Sequence, residues 1–188
     1  MNKSFQTPMI RLCDHEDNVS TGYGKRTRSL DRTEARRTLC VTCAERLHSL
    51  KTTPHLGFYR VEPVIMRGTP NKASWATSIR RELLRRYGPV MAHLSQMVDD
   101  PLARVALKVY EMLFCIPSAD FWIDARNHKF EGFWLVFEVQ DLMRSHEMMG
   151  QKYSAHSCYG FWRSYNRHAI SKARLELATV ELPTVAQG

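Results

Sequence analysis

A mainly helical fold is predicted, with a small zinc-binding module of short strands and one helix at its N-terminus. Three observations carry this. Cys40-Val41-Thr42-Cys43 runs straight into helix-forming residues, and Cys13-Asp14-His15 supplies a second close pair upstream. A dense basic stretch, residues 25–37, lies between these two pairs. From residue 71 onward, apolar residues recur at helical spacing in about five helices.

The composition bounds what such a chain can be. Its 188 residues hold one domain, or a small module plus a modest core. A hydrophobic content of 44% and an aromatic content of 10% suit a folded protein rather than a disordered one. No apolar run reaches the ~18 residues that a membrane span requires. Met1 to Gln6 lack the apolar core of a secretory signal. Five cysteines fit metal binding in a reducing cytoplasm better than a disulfide framework. The net charge of +8 points towards polyanions and argues against a nucleic-acid mimic, which would be acidic.

Residues 1–8 read as a loose lead-in, and Met9 to Cys13 alternate as a short strand would. Asn18 to Gly24 are rich in turn formers and read as irregular. Tetrahedral zinc takes four nitrogen or sulfur ligands, and structural sites supply them as close pairs from separate segments. Cys13, His15, Cys40 and Cys43 meet that requirement. His48, five residues beyond Cys43, is a rival fourth ligand, and His55 a weaker one. His15 is preferred because it sits beside a second cysteine.

Between the pairs, Lys25, Arg26, Arg28, Arg32, Arg36 and Arg37 face only Asp31 and Glu34, a local excess of four positive charges. Read as a basic loop tied down at both ends by the metal, this stretch offers phosphate contacts; the alternative is a merely solvated loop or a short exposed helix. Residues 1–56 thus form the zinc module and 57–70, marked by Pro63, Gly68 and Pro70, a linker. Residues 71–180 form the helical domain and 181–188 a frayed tail that includes Pro183.

In the helical part, Trp75, Ile79, Leu83 and Tyr87 repeat every fourth residue as a core stripe. Arg80, Arg81, Arg85 and Arg86 make a candidate second phosphate-binding face, and Gly88-Pro89 reads as a stop. A further helix follows over 90–98. Asp99-Asp100-Pro101 then signals a fresh cap before a helix over 102–116, ended by Pro117. Cys115 reads as a buried small hydrophobe. Asp120 is expected to cap the next turn, and Asp124 to pair with Arg126. Phe130 to Val139 read as a buried helix, with Met143, Met148 and Met149 filling core space. Residues 151–168 interleave Tyr153, Tyr159, Phe161, Trp162 and Tyr165 with Arg163 and Arg167. They suit either a last helical hairpin or a platform for unpaired bases. His156-x-Cys158 lacks a matching second pair.

Two resemblances add to this. A knuckle whose second ligand opens a helix resembles the treble-clef and zinc-ribbon group of fingers over about residues 9–52, departing from it in the C-x-H first pair. Lys72-x-x-Trp75-Ala76-x-x-Ile79-Arg80 with Phe121-Trp122-Ile123-Asp124-x-Arg126 is similar to a small helical module of phage, plasmid and bacterial proteins. That resemblance implies a context and no activity.

No glycine-rich phosphate loop and no nucleophile or metalloprotease motif occurs in the sequence. The function expected is therefore non-enzymatic: a zinc-stapled protein that binds DNA, RNA or a nucleoprotein complex through residues 25–37. The alternative is a phage- or plasmid-encoded interaction module inhibiting a host or defence complex, such as an anti-CRISPR-type inhibitor, with its contact surface in the C-terminal half. A metal-dependent nuclease built on Asp120, Asp124 and Glu131 is a minor third reading.

Overall fold

Element order follows from where the chain can bury apolar surface. A computed structural model of the protein describes residues 5–62, 64–145 and 150–179. Pro63, Met148, Met149, Pro183 and the tail fall outside the described residues. Strands β1 (Phe5–Ile10) and β2 (Glu16–Thr21) form an antiparallel hairpin in the register Phe5↔Thr21 to Ile10↔Glu16. The expected lead-in thus enters the sheet from residue 5, and the stretch expected to be irregular supplies β2. Helix α1 (Lys25–Ala35) packs on it, close to Thr21, which is fully buried.

The basic segment is therefore a helix, not a loop. It is held to the hairpin by Asp31, whose carboxylate accepts the amide of Gly22 at 2.8 Å. A Cβ at Gly22 would stand 2.8 Å from the Thr27 methyl, so the close approach requires glycine there. Helix α2 (Val41–Ser49) follows, burying Cys43 and Leu47.

The expected break at Gly88-Pro89 does not occur. Helix α3 runs unbroken over Pro70–Gln96, with Pro89 inside it. An interior proline costs an isolated helix about 3 kcal/mol. Here Tyr87, Gly88, Val90, Met91 and Leu94 are all buried, and that packing offsets the lost hydrogen bond. Trp75, expected in the core, is 52% exposed, and the stripe becomes buried only from Ala76 and Leu83 onward.

Helix α4 (Pro101–Phe114) is the centre of the fold. The Asp100 carboxylate caps it by accepting the amides of Leu102 and Ala103, as the Asp-Asp-Pro sequence requires. Helices α3, α6 (Phe133–Met143), α7 (Cys158–Tyr165) and α8 (Arg167–Thr179) pack around it, and α5 (Ala119–Asp124) lies against α3. The aromatic core is fixed by polar handles that all find partners. The Tyr110 hydroxyl donates to the Phe130 carbonyl (2.9 Å), and the Phe130 amide donates to the Tyr87 hydroxyl (3.0 Å). The indoles of Trp122 and Trp162 donate to the carbonyls of Ile116 and Met112.

Several smaller expectations change. Ser118, not Asp120, caps α5, and Asp120 pairs with Lys72 at 2.8 Å. Arg126 bonds the Ile123 carbonyl, and no Asp124–Arg126 pair forms among the described residues. Cys115 is half-buried against the core. On α6, Phe133 and Phe137 are 65% and 60% exposed, because the buried face is carried by Leu135, Val136, Val139 and Leu142. Tyr159 and Trp162 are buried in the core, Tyr153 and Phe161 are half-buried against it, and Tyr165 is exposed.

Glu138 on α6 is only 4% exposed, and its carboxylate accepts the Tyr159 amide at 2.7 Å, at the start of α7. Burial raises it from 4.5 to about 7 despite that bond. The folded state therefore binds this proton more tightly than the unfolded state. That stabilisation is complete below about pH 4.5, declines as pH rises and is gone above about 7, a span of at most about 3 kcal/mol. Glu138→Gln keeps an acceptor for the Tyr159 amide and removes the titration. Urea unfolding at either end of this pH window should show wild type losing stability relative to the variant. Parallel curves would refute the assignment.

Candidate functional site

The metal ligands predicted from spacing come together. The donor atoms of Cys13, His15, Cys40 and Cys43 all lie within 4.8 Å of one another. Among the described residues this is the one group of three or more histidine, cysteine or acidic side chains so placed.

Local backbone chemistry explains how. The chain between β1 and β2 folds into a tight tip, where the Arg11 amide donates to the His15 carbonyl and the Asp14 amide to the Arg11 carbonyl. Asp14 has a φ of 59°, a left-handed conformation that Asp tolerates better than most residues. The turn centred on it brings Cys13 and His15 to the same side. The second pair sits on the first turn of α2. Cys40 is its N-cap, and its sulfur accepts the Cys43 amide at 3.4 Å.

The two halves are tied by backbone as well. The Leu12 amide donates to the Thr38 carbonyl (3.0 Å), and the Arg11 guanidinium to the Leu39 carbonyl (2.9 Å). Arg11 also pairs with Asp17 at 3.7 Å, and Asp17 accepts the Val41 amide. From the other side, Gln140 accepts the Leu39 amide (3.0 Å) and Arg144 donates to the Arg37 carbonyl (2.9 Å). Leu39, Cys40, Cys43 and Leu47 belong to the same apolar core as α3, α4 and α6.

The distances suit a tetrahedral ion. Zinc–sulfur and zinc–nitrogen bonds imply S···N edges of ~3.5 Å. Here His15 Nδ1 lies 3.2 Å from Cys43 Sγ and 3.7 Å from Cys40 Sγ. The electrostatics suit a cation too. Burial opposes ionisation of Cys13, but the amides of Cys40 and His15 and the neighbouring thiols donate to its sulfur and draw it down to about 7. Burial, the bond to Cys40 and the charge at Cys13 push the Cys43 thiol up. One thiolate forms readily, and a second beside it requires a positive charge. These four residues therefore could hold a metal ion. His15 is exposed, and the cluster opens on a groove of about 460 Å³ bounded by Asp14, Arg46, Asp100 and Arg104.

The rival ligands lie elsewhere. His48 packs edge-on against Phe133 at 4.5 Å, and His55 stacks on His93 at 4.2 Å. His156 stacks on His128, whereas Cys158 is buried beside the Val109 carbonyl. Asp120, Asp124 and Glu131 form no metal-holding group among the described residues, and Glu131 pairs with Arg86 at 3.3 Å.

The basic residues divide into distinct settings. Lys25, Arg28, Arg32 and Arg36 follow one another at spacings of three, four and four, which places them on one face of α1. With Ser29 and Thr33 they line an open groove of about 400 Å³. Ser29 and Thr33 follow from the same spacing once the segment is helical. Arg26 is exposed outside that groove, and Arg37 is half-buried. The four cations of α3 do not share a face. Arg80 is half-buried and donates to the Val64 carbonyl (2.9 Å), and Arg86 pairs with Glu131 and lies over the Tyr87 ring. Arg81 and Arg85 are exposed.

Compared with known proteins, the chain matches no family model, and neither a curated protein nor a solved structure gives a significant match. No helix among the described residues is long and apolar enough to cross a membrane.

His15 and His48 separate cleanly by titration with zinc or cobalt. His48→Ala should bind the ion as wild type does. His15→Ala should weaken binding beyond the ~10–100-fold that loss of an outer-shell partner costs. The reverse ranking would move the fourth ligand to His48.

Proposed function

We propose that this is a non-enzymatic, zinc-stapled protein that binds nucleic acid, alone or within a nucleoprotein complex, through α1. Zinc is the metal this donor set favours: three thiolates and an imidazole saturate a tetrahedral ion and leave no open position for substrate. Its role is to hold the hairpin against α2, and so to hold α1 in place on that hairpin.

The observation that carries the reading is the groove on α1. Lys25, Arg28, Arg32 and Arg36 line it with two hydroxyl side chains and no acid. Asp31 is turned to the Gly22 amide instead. Cations at this spacing track a phosphate backbone, and each phosphate they neutralise releases counterions. A protein-contact surface has one observation in its favour, the exposed Phe133 and Phe137 pair at one-turn spacing on α6.

The test is the salt dependence of binding. Arg28 also bonds the carbonyls of Gly22 and Tyr23, so it is left in place. A Lys25→Gln, Arg32→Gln, Arg36→Gln variant should bind labelled oligonucleotides more weakly. The slope of log affinity against log salt should fall by about two to three. Unchanged affinity and slope would overturn the assignment of α1. A partner retained at salt that strips nucleic acid would favour the α6 surface.

A further inference from the structure

The hairpin register places Phe5 opposite Thr21, at the open end of the sheet, and so beside Tyr23 just past the end of β2. The two rings meet with centroids 4.3 Å apart at 52°, yet remain 46% and 50% exposed. The Arg28 guanidinium lies 5.7 Å from the Phe5 ring centroid, and the same side chain lines the cationic groove of α1. Arg28 thus joins a half-exposed aromatic pair to the row of cations. That row runs from residue 25 to residue 36, about 16 Å along the helix axis.

Phosphate attraction alone does not call for aromatic rings. A duplex keeps its base faces stacked inside and offers a protein only backbone and groove edges. An aromatic ring at the end of a phosphate track gains from nucleic acid when a base is free to lie on it. Every base has such a face, so the contact is tolerant of sequence. Arginine contributes as well, because its planar guanidinium stacks on rings and bases. Between the cations the helix face carries only Ser29 and Thr33, whose short hydroxyls suit phosphate and sugar.

Resting on the nucleic-acid reading of α1, we infer that its ligand is single-stranded, with the phosphates along Lys25, Arg28, Arg32 and Arg36 and an unpaired base stacked on the Phe5–Tyr23 pair. The strand enters at the open end of the hairpin and follows α1. Charge sets the salt dependence, and the ring pair sets the preference for unpaired bases.

The experiment uses the full chain and three probes: an oligothymidylate, an abasic strand of the same length, and a duplex. Wild type should bind the oligothymidylate at least about fivefold more tightly than the abasic strand, the lower end of what one stacked base supplies. It should also favour the oligothymidylate over the duplex. A Phe5→Leu, Tyr23→Leu variant keeps apolar bulk at the hairpin end. It should bind oligothymidylate only as tightly as wild type binds the abasic strand, with an unchanged salt slope. Equal binding of abasic and normal strands by wild type, or tighter binding of duplex, would overturn the single-strand inference while leaving the cationic reading of α1 in force. Failure to bind any probe would overturn both. The abasic comparison needs no variant, so the inference stays testable even if the leucine substitutions disturb the hairpin.

Discussion

Three thiols clustered with an imidazole so that their donor atoms lie within 4.8 Å of one another cannot all ionise unless a cation sits among them. The N-terminal third of the chain converges on that cluster. The hairpin buries little: Met9 and Thr21 are its only buried residues, and two strands alone are marginal in water. Helix α1 buries only Ala35. Neither element has the apolar surface to hold its own position. What holds them is the junction at the hairpin tip, where the clustered Cys and His side chains, the Leu12 amide and the Arg11 guanidinium meet the segment leading into α2. Helix α2 in turn is anchored to the helical core through Leu47, and the segment leading into it through the bonds of Leu39 to Gln140 and of Arg37 to Arg144.

This division of labour explains why a helix as polar as α1 can be displayed in a fixed orientation. In isolation, eleven residues with four basic side chains and no apolar stripe would be mostly unfolded. Packed on a hairpin whose far end is pinned, this helix and its C-cap residue present Lys25, Arg28, Arg32 and Arg36 as a row. The Phe5–Tyr23 pair lies at the opposite end of the hairpin from Cys13 and His15, so one element carries both half of the Cys/His cluster and the exposed aromatic pair.

The Cys/His cluster was legible in the sequence because ligand chemistry is local: C-x-x-C before a helix and C-x-H upstream form two close pairs that a metal ion could share. Helix α4 was legible for a similar reason, since Asp100-Pro101 states its start and Pro117 its end. The failures share a cause too, which is tertiary context. Pro89 reads as a stop until the burial on both sides of it is known. Residues 25–37 lack the apolar periodicity that identifies a helix, because their helix buries only one residue, Ala35, and is held to the hairpin through Asp31 instead. Trp75, Phe133 and Phe137 fit apolar stripes by spacing, but the neighbouring elements cover a different arc of each helix. Phe5 and Tyr23 are eighteen positions apart, and only the strand register brings them together.

The central claim is that a metal ion organises the N-terminal third while the helical core stands without it. The most direct test is elemental analysis of the purified protein, paired with amide hydrogen exchange before and after chelation. The account predicts one zinc per chain, with chelation stripping protection from the hairpin, α1 and the first turn of α2 and leaving α3 and α4 protected. A well-folded chain that carries no metal, or protection at the hairpin tip that chelation does not alter, would contradict it.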